Sequence, residues 1–380
     1  MLWNKFSILL CILLMMPQWV ETMYSPILTE IQAYYQVSAE QSSLTLSLYF
    51  VAFAFGIVFW GYCCDRYGRR PTVLVGMSLY LFATIAAYYS VEFIQLLIVR
   101  LIAAFAIAVA SIATQTIIRD RFSGQALAQF FAVVGIFMAI SPALGMLVSA
   151  QLTLLYDYRA VFSCLSIVAV ILLFWCVWGL PETRPAQQNS MPFVTLLGRM
   201  LCDKHILNTA ILIALFNLNV FAYYQLAPFH FQQMQLSVQD FGYSGLLLSF
   251  GVATGAGLNQ YGLKKGYSEQ KLLCLAALIS VVAALLALIL IQIQQAWFSV
   301  SALLILMGYA IAIPNLLASA LTQYQNSAGR AGALLGLFYY SLLGVSLIFA
   351  GWGQHLAWTL LLSVALIIVL LYRRFKYQYS

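Results

Sequence analysis

Charged side chains are scarce in this sequence, and their scarcity excludes a soluble architecture. Only 8% of its 380 residues are Asp, Glu, Lys or Arg, while 63% are hydrophobic, and the mean hydropathy is +0.92. A soluble domain carries about a quarter charged residues, so this chain cannot cover itself with a surface that water solvates. We expect it to expose apolar side chains to lipid over most of its outer area.

Residue clusters that carry enzyme chemistry are also missing. The 7 cysteines show no CxxC or Cys/His metal spacing, which favours a role as apolar packing residues. There is no nucleophile–base pair, phosphate-binding loop or sizeable hydrophilic domain that could bind nucleotide. The net charge of +7 is carried by basic residues in short loops that form no basic stripe, which argues against binding of nucleic acid. The sequence predicts no enzyme, no cofactor, no metal and no ATP-driven transport.

Long apolar runs fill most of the chain instead. A membrane-spanning helix needs roughly 20 apolar residues, and the sequence predicts twelve such spans, at 6–28, 42–62, 72–90, 94–118, 127–150, 160–180, 206–230, 242–263, 271–291, 296–322, 331–352 and 355–372. Lys5 before the first run imitates a signal peptide, but no small-x-small cleavage site follows, so we expect this run to be retained. The predicted fold class is an all-α membrane protein.

A hydrophilic break at 181–205 divides the twelve spans into two sets of six. This organisation predicts two six-helix bundles, 1–180 and 206–380, joined by a cytoplasmic linker, as in a two-bundle carrier. The halves echo each other weakly, because Pro26 in span 1 and Pro228 in span 7 each follow an aromatic and polar stretch near the outer end of the span. The echo suggests paired, discontinuous helices around a central site.

The distribution of basic residues predicts that both termini are cytoplasmic. With that orientation, 16 of the 18 Lys and Arg fall in cytoplasmic segments, as the positive-inside rule requires. The exceptions are Arg100, inside a span, and Arg159, at an outer end. The outer loops carry acidic residues, namely Glu30, Glu40, Glu92, Asp157 and Asp240. A wrong span count would scramble this division.

The most specific motif is the string GYCCDRYGRRP at residues 61–71, between spans 2 and 3. It resembles the signature loop of the major facilitator superfamily, and its residues of interest are Gly61, Asp65, Arg66, Gly68, Arg69 and Arg70. The first glycine allows close helix contact and the second a tight turn with positive φ. The arginines are expected to anchor the loop on the anionic leaflet. The resemblance implies that Asp65 latches onto the start of span 11 at Gly329–Gly332 when the inner gate is closed.

Several further strings resemble the Bcr/CflA branch of drug:proton antiporters. They are Glu21-Thr22-Met23-Tyr24-Ser25-Pro26, Ile118-Arg119-Asp120-Arg121-Phe122, Tyr158-Arg159-Ala160-Val161-Phe162 and Leu180-Pro181-Glu182-Thr183, so that the resemblance covers residues 20–185. Span 5 departs from the family pattern. Antiporters of the superfamily tend to end this span in GPxxGG, whereas this chain has Ser141-Pro142-Ala143-Leu144-Gly145-Met146. The departure leaves the direction of transport open.

Two charged side chains lie inside predicted spans, where each costs roughly 2.5–3.5 kcal/mol. Glu21 in span 1 and Arg100 in span 4 fall at similar depth in the outer half, which predicts a pair of opposite charges. Burial and the neighbouring guanidinium act in opposite directions on the carboxyl, so Glu21 is predicted to be the proton site and the counter-charge for a cationic substrate. Arg100 is expected to tune it. A purely structural ion pair is the alternative.

Polar and aromatic residues at helical spacing from these charges are predicted to line a central cavity. They are Gln18, Trp19, Tyr24, Ser25, Ser111, Gln115, Asn217, Asn219, Tyr223, Tyr224 and Gln225. Arg119, Asp120 and Glu182 are assigned to a cytoplasmic gate. Glu182 is expected to pair with Arg119 or another loop arginine, or else to be a solvated carboxylate.

These features predict a proton-coupled carrier of the bacterial inner membrane that works by alternating access. The leading interpretation is an antiporter that exports small amphipathic compounds, and proton symport of a nutrient or siderophore is the first alternative. A membrane-embedded enzyme or receptor is a more distant one. The expected partners are a small-molecule substrate, protons and the lipid bilayer, without nucleic acid, and the chain is expected to be a monomer.

Overall fold

The computed structural model describes residues 5–184, 193–293 and 296–378, which form helices without a β-strand. Twelve of these helices are long and apolar enough to cross a membrane, as the sequence predicts. Large apolar side chains such as Phe82, Phe250 and Phe349 point outward, as expected for a surface that faces lipid. We call the end where span 1 begins and span 12 ends the termini face, and the opposite end the far face.

Span 1 is interrupted and the next five spans are single helices. It consists of the helices Lys5–Tyr24 and Leu28–Tyr35, joined by a 3-10 turn at Ser25–Ile27. Pro26 lies in that turn, where its missing N–H and fixed φ favour a break in the α-helical hydrogen-bond pattern. Spans 2 to 6 are Ala39–Tyr67, Arg69–Tyr88, Phe93–Arg121, Gly124–Leu155 and Arg159–Gly179.

The second half begins with a helix that the sequence pattern does not predict. Phe193–Cys202 lies within the predicted linker and buries Leu196 and Met200. Residues 185–192 of that linker lie outside the described residues. Spans 7 to 12 are Lys204–Gln233, Val238–Lys264, Glu269–Gln292, Ser299–Ala320, Ala328–Gly353 and Leu356–Gln378. Span 7 continues through Pro228 as one helix, so the expected pairing of two discontinuous helices is wrong for this span.

Helix packing repeats with a period of six spans. Spans 1 and 5, 2 and 4, 3 and 4, and 3 and 6 pack together in the first half, and spans 7 and 11, 8 and 10, 9 and 10, and 9 and 12 do so in the second. The halves meet mainly through spans 2 and 11 and through spans 5 and 8, which exchange places under the same repeat. Such an internal repeat is typical of carriers whose substrate site lies between the two halves.

Glycines permit the closest approach at equivalent places in the two halves. A Cβ added at Gly56 of span 2 would lie 2.8 Å from Ala108 Cβ of span 4, and one added at Gly255 of span 8 would lie 2.9 Å from Ala310 Cβ of span 10. Gly61, predicted to allow close contact, is less tight, since its added Cβ would lie 3.7 Å from Ile112. The closest packing of span 2 is therefore more than one turn before the loop motif.

Candidate transport site

Glu21 and Arg100 lie buried in the far half of the molecule. Glu21 on span 1 is 6% exposed and Arg100 on span 4 is 2% exposed, and their charges are within electrostatic reach of each other. Among the described residues no direct ion pair joins them. The sequence predicts a pair of opposite charges. In the structure the two charges are neighbours without a direct ion pair, and each is surrounded by other residues.

The surroundings of Arg100 are two tyrosine rings. Its guanidinium carbon lies 3.7 Å from the ring centroid of Tyr24 and 4.8 Å from that of Tyr49. A cation over an aromatic face is stabilised by the ring quadrupole, most strongly where water is excluded. These contacts explain how span 4 tolerates an arginine without a carboxylate against it.

The surroundings of Glu21 are tyrosines from both halves. Its carboxyl interacts electrostatically with five of them, Tyr49, Tyr224, Tyr309, Tyr339 and Tyr340. They come from spans 2, 7, 10 and 11. Only Tyr224 was predicted from the sequence to line the cavity. With 23 tyrosines in the chain, the hydroxyl alone does not mark the few that face a buried acid.

Aromatic rings continue this surface across the boundary between the halves. The ring centroids of Phe50 and Phe221 are 4.3 Å apart, those of Phe53 and Tyr340 are 5.0 Å apart, and those of Tyr339 and Tyr340 are 4.3 Å apart. Aromatic surface of this kind binds amphipathic molecules through apolar contact and accommodates a cation on its faces. It therefore forms a wall suited to a ligand with a flat apolar body.

The other predicted cavity residues differ in their contacts. Gln18, Trp19 and Asn219 each carry a buried polar atom that has no hydrogen-bond partner among the described residues. Tyr223 packs toward Phe241 and Phe298, on spans 8 and 10. Asn217 donates to the carbonyl of Ile213 in its own helix. Ser111 and Gln115 are half-buried and bond to each other at 3.3 Å. Several of these groups are thus free to bind a ligand.

Ser25 and Gln225 close the far face rather than line a cavity. Ser25 Oγ donates to the carbonyl of Tyr224 at 2.5 Å, and Gln225 Nε2 donates to Ser47 Oγ at 2.8 Å and to the carbonyl of Ser43 at 3.1 Å. Both predicted cavity residues are fully buried. Because these bonds join the two halves through uncharged groups, the far face is closed by a neutral hydrogen-bond latch.

An ionic network closes the termini face. Asp65 at the end of span 2 pairs with Arg330 at the start of span 11, with 3.0 Å between Oδ2 and Nε. Arg69 lies 3.6 Å from Asp65 and 2.8 Å from Asp120 on span 4. The loop motif thus contacts span 4 within its half and span 11 across the boundary. Arg66, by contrast, is exposed and stacks near the rings of Tyr62 and Tyr67.

Glu182 binds backbone rather than an arginine side chain. Its Oε1 accepts from the backbone N–H groups of Arg69, Thr183 and Arg184, and its Oε2 accepts from that of Arg70. Partial burial by itself raises the pKa of the carboxyl, but the four N–H donors outweigh it, so the pKa of Glu182 lies below its ordinary value. Among the described residues Arg119 is exposed and joins no ion pair, so the alternative of a Glu182–Arg119 pair is not realised.

The turn between spans 2 and 3 explains why the carboxylate fits there. Gly68 has φ +107°, a region that favours glycine, as the sequence predicts. An added Cβ would lie 3.0 Å from the carboxyl carbon of Glu182. Span 3 starts directly after it, so its first N–H groups have no helical acceptor and bind the carboxylate instead. Arg70 also donates from its side chain to the carbonyl of Val177, which ties span 6 to this corner.

The described residues contain no cluster of His, Cys, Asp and Glu that could hold a metal ion. A buried acid, a buried arginine and an aromatic wall lie between two closures, one at each face. This arrangement is suited to binding a small amphipathic molecule and exposing it to one side at a time.

Comparison with known proteins agrees with this arrangement. A transporter of Rickettsia bellii is 29% identical over 349 residues, which cover 88% of this chain and 86% of that protein. Multidrug resistance protein D of Escherichia coli is 25% identical over 178 residues, 47% of this chain and 45% of that protein. The crystal structure of a D-xylose–proton symporter shares the fold, with a TM-score of 0.73 over 96% of each chain at 13% identity.

The family model for the Major Facilitator Superfamily matches residues 10–351, nearly the whole length of the chain. The relatives are transporters, and the resemblance of the loop motif and of the first-half strings to drug-resistance carriers agrees with them. The chain is therefore a multi-pass membrane transporter and not an enzyme, and it belongs to the major facilitator superfamily.

Proposed function

We propose that this transporter exports small amphipathic compounds in exchange for protons, by alternating access between two six-helix bundles. The observation that carries the proposal is Glu21, a carboxyl 6% exposed among aromatic side chains of both halves. A buried acid between the halves can gain and lose a proton as access alternates. The partial match to a multidrug resistance protein supports drug-like substrates.

The proposed topology follows from the charges at each face. We assign the termini face to the cytoplasm because 16 of 18 Lys and Arg then lie inside. The bundles are 1–180 and 206–380, with 181–205 as the linker. The proposed location is a bacterial inner membrane. There, one inward proton at 100 mV supplies about 2.3 kcal/mol, enough for a concentration ratio of about 50.

Proton symport for uptake is the second candidate. The departure of 141–146 from the glycine-rich antiporter motif favours it, because the chain keeps only the proline and one glycine of that pattern. Both candidates use the same fold and the same acid. They differ in whether compound and proton cross in opposite directions or together.

Proton movement in proteoliposomes tests the proposal. Purified wild type, Glu21→Gln and the control Glu30→Gln would be reconstituted under an imposed pH gradient, and a panel of lipophilic cations and siderophores added. We expect a compound to dissipate the gradient with wild type and with Glu30→Gln, a half-buried far-face acid on the same span, but not with Glu21→Gln. Equal coupling in all three would show that Glu21 is not the proton site. Compound that accumulates together with protons would establish symport.

A further inference from the structure

Arg100 presents two hydrogen-bond donors that find no acceptor within the described part of the chain. These donors, Nε and Nη2, are buried, and the whole side chain is 2% exposed. These two nitrogens share one edge of the planar guanidinium. Side-on along that edge, an arginine binds a carboxylate through two parallel N–H···O bonds. The unused donors therefore form a complete carboxylate fork.

The rings beside Arg100 fix how a ligand can reach it. Tyr24 lies against the guanidinium with its ring centroid 3.7 Å from the central carbon, and Tyr49 does so at 4.8 Å. Contacts over the rings leave the in-plane edge for hydrogen bonding. The hydroxyl of Tyr49 interacts electrostatically with Arg100 and is buried without a hydrogen-bond partner among the described residues. It is a further donor for an anionic group held at this edge.

Glu21 does not occupy the fork. Its carboxyl is within electrostatic reach of Arg100, yet among the described residues no ion pair joins the two. A guanidinium in a low-dielectric interior whose donors stay unpaired is costly. A polar ligand that binds and leaves during the transport cycle would explain why these donors of Arg100 are left unpaired.

We propose that Arg100 is the receptor for the carboxylate of the transported compound. The substrates are then amphiphiles that bear a carboxylate, with the apolar body against the aromatic wall of Phe50, Phe221 and Tyr340. This deepens the proposed function and rests on it, since the central site is taken to be the transport site. Because the ionised Glu21 repels a second carboxylate nearby, the acid binds more tightly when Glu21 is neutral.

Matched acid and amide pairs test the fork. The probes are 3-phenylpropionate, indole-3-acetate and decanoate with their primary amides, titrated near neutral pH into purified protein, with affinity read by calorimetry and by the shift in unfolding temperature. The variants are Arg100→Gln, Arg100→Lys, Glu21→Gln and the control Arg159→Gln. Arg159 also contacts tyrosine rings, at 4.9 Å and 5.8 Å, but lies half-buried near the far face.

We expect wild type and Arg159→Gln to bind at least one acid about 10-fold more tightly than its amide. Arg100→Gln should lose that preference while it binds the amide unchanged, and Glu21→Gln should strengthen it. Arg100→Lys keeps the positive charge but lacks the fork, so its preference for the acid over the amide should be severalfold weaker than that of wild type. This variant provides the test if Arg100→Gln does not fold. The proposal is wrong if no acid outbinds its amide in wild type, or if the preference survives in Arg100→Gln. Proton coupling is measured separately, in liposomes, so a failure of the proposed proton exchange can be told apart from a failure of carboxylate binding at Arg100.

Discussion

Replacement of Glu182 by glutamine should weaken the corner that holds spans 3, 4 and 6 together at the termini face. Oε1 accepts three backbone N–H groups at 2.8–2.9 Å and Oε2 accepts one, from Arg70, at 3.1 Å. Glutamine can keep the three bonds on its carbonyl oxygen, but its NH₂ group would face the N–H of Arg70. One charge-assisted bond, about 1.5–3 kcal/mol, and the favourable charge at the helix start, about 0.3–1 kcal/mol, are lost.

Solvent around this exposed carboxylate reduces the loss. We therefore expect about 1–2 kcal/mol for Glu182→Gln and more for Glu182→Ala, which removes all four bonds. For a unit of roughly 150–250 residues this corresponds to about 2–8 °C in unfolding temperature for the glutamine variant. Thermal unfolding in detergent measures it. The labelling rate of the buried Cys64 thiol, in a background without the exposed Cys202 and Cys274, reports opening of the same corner.

The pH dependence has a definite sign. The pKa of Glu182 is lower in the folded protein than its ordinary 4.5, so its contribution is full above that value and is lost as pH falls through the folded pKa. The difference between wild type and Glu182→Gln should therefore be constant near neutral pH and vanish in acid. Glu40→Gln, an exposed acid on span 2, is the control. If Glu182→Gln behaves like that control, or Glu182→Ala is no worse than Glu182→Gln, the backbone bonds do not stabilise the corner.

Two further predictions compare neighbouring residues in the second half. Gly251→Ala should destabilise the protein by about 1–3 kcal/mol, because the added Cβ would lie 3.0 Å from the carbonyl carbon of Leu303 and closer still to its carbonyl oxygen. Gly257→Ala meets nothing within 4 Å, so equal unfolding temperatures in the two variants would contradict this packing. Arg374→Ala should cost about 2–4 kcal/mol, since Arg374 is buried and pairs with another helix at 2.8 Å. Arg373→Ala, at the exposed adjacent position, should change chemical or thermal stability little, and a similar loss in both variants would refute a specific role for Arg374.

The number of spans could be predicted because two independent patterns agree on it. Apolar runs of about 20 residues define the helices, and the Lys and Arg distribution fixes their parity. The ends were less predictable, since helices such as Phe93–Arg121 continue beyond the hydrocarbon-length run of 94–118. The helix Phe193–Cys202 was missed because ten residues at the edge of a hydrophilic break give too weak a periodic signal.

The residues of the site could be predicted only where the side chain is energetically unfavourable inside a membrane. Glu21 and Arg100 stand out because charges in a membrane are rare. Tyr309 and Tyr340 do not, since a tyrosine in an apolar span looks the same whether it faces lipid, a neighbouring helix or an acid. The sequence predicts Gln225 as a cavity residue, and its bonds to the other half could not be predicted for a different reason. Its partners lie 178 and 182 residues away, and the register between the halves cannot be read from either half alone.

The direction of proton movement depends on which buried charge the substrate engages. A cation beside Glu21 competes with the proton and favours exchange, whereas a carboxylate on Arg100 repels the ionised Glu21 and favours a protonated one, which couples substrate and proton in the same direction. A compound that carries both charges reconciles them, because its cationic group neutralises Glu21 in place of the proton while its carboxylate occupies the fork. Proton-driven export and a carboxylate receptor therefore hold together only for substrates that are zwitterionic, and an acid without a cationic group should move with the proton.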